Sequence, residues 1–396
     1  MRIAQISPLH ERVPPRLYGG TERVVSFLTE ELVRQGHEVT LFASGDSQTS
    51  AKLVRCCDMA LRLNPAVRDP LPYHMIMLDE VRRSMDQFDV LHFHIDVVHA
   101  PLVRDFADRT LTTLHGRLDL VDLAPFYATF RDLPLASIST DQQGYLSNAN
   151  WLGTVHHGLP RDLLQFHSIP AGYLAFLGRI SPEKGPDRAI EIAARSGMPL
   201  KIAAKVDRVD EAYWEAKIRP MVERNPDIEF IGEIGERDKA DFLGKATALL
   251  FPIDWPEPFG LVMIEAMACG TPVIAYSRGS VPEVIEENVS GFVVDSIEGA
   301  VAAVRRVADL NRAKVRAEFE RRFTAERMAH DYVGIYRQLI ATHSRPAKAT
   351  ALNGRPSKWQ AIRLSQPSEL TDRDDEAQPI NASKSAVLSS ADMTDS

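Results

Sequence analysis

Two acids eight positions apart, Glu257 and Glu265, bracket the run Pro258-Phe259-Gly260-Leu261-Val262-Met263-Ile264, and Ala266-Met267-Ala268-Cys269-Gly270-Thr271-Pro272 follows. The run comes after a strand-like stretch ending at Phe251, and Gly270 with Pro272 forms a helix stop, so a short helix carrying Glu265 is predicted. At about 1.5 Å per helical residue the two carboxylates stand roughly 12 Å apart, which lets them hold opposite ends of an extended ligand. The free N–H groups of Phe259, Gly260 and Leu261 would face an anion at the helix start. The plainer alternative is that Glu257 only complements the helix dipole and Glu265 is solvated. An acid beside Ala266, Met267 and Ala268 speaks against it.

A second cluster, Gly178-Arg179-Ile180-Ser181-Pro182-Glu183-Lys184-Gly185, follows a predicted strand and precedes a helix. Ligands of open parallel sheets bind beyond the carboxyl ends of the strands, so Arg179 and Lys184 would point into a cleft. There they could hold a diphosphate leaving group; the alternative for each alone is ordinary surface charge. In Tyr18-Gly19-Gly20-Thr21-Glu22 two glycines would let a phosphate approach the backbone, or would simply form a tight turn. Glu22 would meet a substrate hydroxyl or favour the helix start. His92, His94 and Asp96 alternate along a strand, which raises a metal site as one reading and local hydrogen bonding as the favoured one. His115, just past a strand end and before Gly116, is the better functional candidate.

Positioning these residues requires parallel strands joined by crossover helices. Strands are predicted at 2–7, 38–43, 89–94 and 110–114, with a helix at 21–34 capped by Thr21 and ended by Gly36. A second set of the same units runs through strands at 173–177, 200–204, 228–231, 248–251 and 272–275, with helices at 186–195 and 211–223. The stretch 163–170 suits a linker, and helical periodicity returns at 297–307 and 324–340. Beyond about residue 344, Ser, Pro, Asn, Asp and Lys dominate, and the tail 344–396 is expected to be disordered.

The 396 residues fit two domains, and 44% hydrophobic with 25% charged residues is the balance of a soluble globular protein. A net charge of −8 argues against a general nucleic-acid partner. No secretion leader, no bilayer-spanning apolar run and only three cysteines, two adjacent at Cys56 and Cys57, suggest a cytoplasmic protein without an integral membrane segment.

Together, the E-x7-E pair Glu257/Glu265, Gly178-Arg179 with Lys184-Gly185, the Gly19-Gly20 loop, Gly36-His37-Glu38-Val39 and His115 resemble family 4 retaining glycosyltransferases of the GT-B fold, over residues 1 to about 343. The resemblance implies an α/β architecture of two Rossmann-like, doubly wound domains facing across a cleft. An acceptor-side domain would span 1–165, completed by a crossing helix at about 324–343, and a donor-binding domain would span 170–323. It assigns Arg179 and Lys184 to the donor diphosphate, Glu257 to the donor sugar, Glu265 to the ribose hydroxyls and His115 to the sugar at the reaction centre. Gly19 and Gly20 would lie by the phosphates or the acceptor. Where relatives carry a glycine-rich turn, this chain has Ala203-Ala204-Lys205-Val206-Asp207, so Lys205 would add a side-chain contact.

The implied activity is transfer of a hexose from a nucleotide-diphosphate sugar to a hydroxyl acceptor, with retention and without a divalent metal or other cofactor. The departing phosphate would take the acceptor proton on the same face. A double-displacement glycosidase would need carboxylates about 5 to 5.5 Å apart, closer than this spacing suggests. A phosphorylase, a nucleotide-sugar epimerase or a non-catalytic sensor are the competing readings. The acceptor, small or lipid-linked, would be read by variable loops at 66–77 and 117–133; its identity, the donor base and the oligomeric state are not encoded in any readable motif.

Overall fold

The computed structural model describes residues 1–17 and 19–343. The tail 344–396, expected to be disordered, lies outside the described residues, as does Tyr18.

Two parallel sheets organise the chain. The first contains β1 (Arg2–Ile6), β2 (Glu38–Ser44), β3 (Lys52–Cys57), β4 (Val90–Phe93), β5 (Thr110–Thr113), β6 (Pro134–Ser137) and β7 (Asn150–Thr154), in the order β3-β2-β1-β4-β5-β6-β7. The second contains β8 (Tyr173–Arg179), β9 (Leu200–Lys205), β10 (Ile228–Gly232), β11 (Ala246–Phe251), β12 (Val273–Tyr276) and β13 (Gly291–Val294), in the order β10-β9-β8-β11-β12-β13. Each order reverses once, beside β1/β4 and beside β8/β11, and in open parallel sheets ligands gather at such switch points. Burial on both faces explains why β1 reads Ile-Ala-Gln-Ile without a polar alternation: Ile3, Ala4, Gln5 and Ile6 are all buried.

The strands predicted from apolar runs end within two residues of those observed, whereas β3, β6, β7 and β13 carry no comparable signal. The helix predicted from Thr21 begins one residue earlier, at Gly20, and Thr21 does not cap it. Gly19 holds the capping position at φ +144°, where a side chain would strain the backbone and a Cβ would stand 2.8 Å from Pro15 Cβ. Gly36 follows the helix at φ +83°, the left-handed geometry expected of the stop. The helix predicted at 211–223 is interrupted by a π segment, Trp214–Ile218, ahead of Pro220, which has no N–H to give an α-helical bond. The supposed acceptor loops are partly helical, at Leu71–Ser84 and Leu123–Thr129.

The chain crosses between the sheets twice. Residues 163–170 contain no helix or strand, and Leu159 is stitched to the returning chain by hydrogen bonds to Phe323 O and from Ala325 N–H. The final helix, Ala325–His343, then covers the first sheet. Met328, Tyr332, Tyr336 and Leu339 share a core with Ile3, Val24, Leu28, Val90 and Leu111. No helix among the described residues is long and apolar enough to cross a membrane.

Glu283, after β12, ties the two halves together. Its carboxylate accepts the N–H groups of Thr140 and Asp141 at 2.7 Å each, at the start of the Thr140–Tyr145 helix, and meets His156 Nε2 at 3.1 Å. Burial raises its pKa, but these hydrogen bonds outweigh it and bring the group down to about 2. A depressed carboxylate stabilises above its unfolded pKa, and that contribution is lost as pH falls toward the folded value. Comparing wild type with Glu283→Gln by denaturant unfolding should therefore show a gap of at most about 3 kcal/mol at pH 7, reduced by solvent screening, that closes between about pH 4.5 and 2. A gap that stays constant over this range would refute the linkage.

Candidate active site

The second sheet presents its charges at strand ends. Arg179 closes β8, and its guanidinium meets Glu183 at 2.7 Å, Asp210 at 3.5 Å and Asp207 at 3.9 Å. Lys205, the last residue of β9, pairs with Asp207 at 2.7 Å. Lys184 lies in the loop after β8, and its ammonium contacts Glu257 Oε2 at 2.7 Å and sits 4.6 Å from the centre of the Trp255 ring. Trp255 Nε1–H donates to the same Glu257 oxygen at 2.9 Å. With side chains only 11% and 3% exposed, Lys184 and Glu257 form a desolvated pair rather than a surface one.

After Glu257 the chain turns through Gly260 at φ +76°, where a Cβ would press to 2.9 Å from Met263 and 3.1 Å from the Phe251 ring. Only then does the helix Leu261–Ala268 begin, so the residues whose N–H groups have no partner within the helix, Phe259, Gly260 and Leu261 among those at its start, line the cleft wall. Glu265 is buried within this helix, and its Oε1 accepts from Lys239 Nζ at 2.7 Å. Burial draws the Lys239 ammonium below its ordinary pKa, an effect that Glu265 opposes. Neither acid is solvated, and each is held by a different lysine from a different element.

The first sheet supplies the facing wall. Gly19 and Gly20 begin the helix Gly20–Arg34, and Arg23, one turn in, reaches across to form an ion pair with Glu236 while donating to Leu17 O at 2.7 Å. His115 follows β5, stacks on His157 with ring centres 5.2 Å apart, and is pushed down by burial to about 3, so it is neutral. The metal reading of His92, His94 and Asp96 gives way to hydrogen bonding: His92 contacts Thr113 Oγ1 and Tyr336 OH at 2.7 Å each, and His94 contacts Gln5 Oε1 at 2.7 Å and His115 Nε2 at 2.8 Å. Among the described residues no cluster of His, Cys, Asp and Glu could hold a metal. Glu22 does not line the cleft. It is buried behind the preceding loop, where burial raises its carboxyl to about 7 and it lies 3.4 Å from the Glu11 N–H.

One cleft of about 1100 Å³, open to solvent, takes walls from both halves. It brings together His115, Arg179, Lys184, Glu257, Gly19, Gly20, Lys205, Phe259, Gly260, Leu261 and Glu265, but not Glu22, His92, His94 or Asp96. Sequence reasoning missed Arg23, His157 and Lys239. His157, in His156-His157-Gly158 after β7, carried a local signal, a histidine at a strand end. Arg23 and Lys239 carried none, because each is one charged residue on a helix. Chemically, the cleft offers cations and free N–H groups for an anion, and two acids for hydroxyls.

The glycosyl transferases group 1 model matches residues 170–324, and the glycosyltransferase family 4 model matches residues 18–177. The chain is 30% identical over 402 residues to the D-inositol 3-phosphate glycosyltransferase of Mycolicibacterium smegmatis, covering 83% of this chain and 89% of that protein. It is 25% identical to the phosphatidyl-myo-inositol mannosyltransferase of Mycobacterium leprae, over 87% of this chain and 99% of that protein. In fold it is similar to sucrose-phosphate synthase of Thermosynechococcus elongatus, with a TM-score of 0.69 and 20% identity over 86% of this chain and 99% of that one. It is also similar to Anabaena HepE in complex with UDP and glucose, with a TM-score of 0.65 and 17% identity over 85% and 100%. Two doubly wound parallel domains facing one cleft make the fold GT-B, and the chain belongs to the group 1, family 4 glycosyltransferases.

Proposed function

We propose that the chain moves a hexose from a nucleotide-diphosphate sugar to a hydroxyl of a small or lipid-linked acceptor, with retention of anomeric configuration. The observation that carries this reading is the convergence of Arg179, Lys184, Glu257 and Glu265 on one cleft beside the free N–H groups of a helix start. Arg179, Lys184 and Lys205 take the two phosphates, whose oxygens replace the acids now holding these cations. The nucleotide's ribose displaces Lys239 from Glu265, and Glu257 meets the sugar. As the bond to the sugar breaks, negative charge grows on the departing phosphate, where Arg179, Lys184 and the Leu261 helix start are aimed. That phosphate accepts the acceptor proton on the face it leaves, so the new bond forms on the same side. These fixed charges are the reason to expect activity without a divalent metal, and added chelator should leave the rate unchanged.

The acceptor class draws on the relatives, which are named for D-inositol 3-phosphate and phosphatidyl-myo-inositol. A cytoplasmic location accords with a nucleotide-sugar donor. Titrating UDP, GDP and ADP into the protein by calorimetry tests the donor site. One nucleotide is expected to bind, and Glu265→Ala and Arg179→Ala should each weaken it about 10- to 100-fold, the cost of one or two charge-assisted hydrogen bonds. Binding of none of the three would remove the donor-site reading.

A further inference from the structure

Behind His115 lies a chain of buried polar groups that takes no part in holding phosphate. Gln5 on β1 offers Oε1 to His94 Nε2 at 2.7 Å, while its amide Nε2–H donates to Tyr336 OH at 3.1 Å on the final helix. Because the Gln5 carbonyl can only accept, His94 Nε2 must carry the proton. A neutral imidazole has one N–H, so His94 Nδ1 is a bare acceptor. The 2.8 Å contact from His94 Nδ1 to His115 Nε2 then requires His115 Nε2 to be the donor. The last member of the series is His115 Nδ1, which carries no proton and has no hydrogen-bond partner although it is buried. Burial holds both imidazoles neutral, so each ring has a single proton to place. His115 lines the cleft, and an acceptor without a donor is what a ligand O–H can satisfy.

We propose that Gln5 and His94 are positioning residues that hold His115 as its Nε2–H tautomer, leaving Nδ1 to accept a hydrogen bond from a hydroxyl of the transferred sugar. This rests on the donor-site reading above for the identity of the ligand, but not for the tautomer. The polarity has a consequence for the substrate. A sugar presenting a hydroxyl at this point completes the series, whereas a carboxylate there would set lone pair against lone pair. The opposite amide orientation at Gln5 would reverse every donor and leave a buried N–H orphaned at Nδ1, the less tolerated of the two defects.

The test reads the tautomer directly in the full-length, ligand-free protein labelled with 15N-histidine, using long-range 1H–15N correlation and His115→Asn to assign the ring. The expected pattern is a pyrrole-type Nε2 and a pyridine-type Nδ1 at both His94 and His115. A protonated Nδ1 at His115 in the wild-type protein overturns the proposal, and this measurement needs no variant to fold. Next, His94→Leu should let His115 sample both tautomers. It should weaken UDP-glucose, GDP-mannose or ADP-glucose, whichever base binds, about tenfold while the matching nucleoside diphosphate binds as before. His94→Gln, which can accept from His115 and donate to Gln5, should restore both the spectrum and the affinity. An unchanged His115 spectrum in His94→Leu, or equal losses for nucleotide and nucleotide sugar, also overturns it. If no nucleotide binds at all, the donor-site reading fails while the wild-type spectrum still decides the tautomer.

Discussion

Lys184→Met is expected to lower kcat/KM by about two to three orders of magnitude and to destabilise the fold as well. The first effect follows from removing one preorganised cation from a developing phosphate charge, a loss of roughly 2.7 to 4 kcal/mol by analogy with an oxyanion-hole donor. The second follows from the pairing in the resting protein. Glu257, 3% exposed, would keep only the Trp255 N–H, and stranding one member of a buried ion pair costs about 3 to 5 kcal/mol. The two effects separate in the double variant. Lys184→Met with Glu257→Gln replaces the stranded carboxylate by a neutral amide whose oxygen still accepts from Trp255, so most of the stability returns. Activity does not, because neither the cation nor the acid is restored. Denaturant unfolding alongside donor turnover reads both quantities, and a double variant that regained activity would exclude the proposed role of Lys184.

Arg312→Ala should cost about 3 kcal/mol or more of stability without touching the cleft. The Arg312 guanidinium donates to His167 O at 2.8 Å, Ala246 O at 2.9 Å, Gly244 O at 2.6 Å and Thr271 Oγ1 at 2.6 Å. It thus fastens the inter-sheet linker to the end of the helix Glu236–Gly244, to the first residue of β11 and to the turn before β12. Removing it strands partly buried carbonyls that helices and strands do not satisfy. Arg312→Lys should recover less than half, since a single ammonium cannot reproduce a planar fork aimed at four oxygens. Unfolding midpoints of the two variants check this; full recovery with lysine would mean that charge, not geometry, holds the linker.

The donor half of the cleft was legible because its residues are local in sequence. Glu257 and Glu265 sit on one loop and the helix it leads into, and Arg179 and Lys184 on the end of β8 and the loop that follows it, so spacing alone places them at strand and helix ends. Lys239 and Arg23 were not legible because their partners, Glu265 and Glu236, lie 26 and 213 positions away, and nothing in an isolated helix marks either. The same distinction governs the strands. β1, β2 and β8 are mostly apolar, mostly buried runs, whereas β7 reads Asn-Trp-Leu-Gly-Thr with every residue half-buried, an edge position without hydrophobic contrast. β6 begins with Pro134 and is four residues long, too short for periodicity to register. Thr21 misled for a related reason: side-chain capping is a local preference, but here Pro15 from the preceding loop crowds the capping position and selects glycine.

The final helix has a consequence for how the protein comes off the ribosome. The strands of the first sheet are all present once Thr154 has been made, but Met328, Tyr332, Tyr336 and Leu339, which seal one face of that sheet, come about 170 residues later. At about 5 to 20 residues per second, synthesis leaves that apolar face open for roughly ten to thirty seconds. During that interval the entire second sheet is translated and can fold first, so the half that begins the chain is the half that finishes last. Nascent chains arrested before residue 325 should accordingly expose a protease-sensitive, chaperone-binding first sheet beside a protected second one.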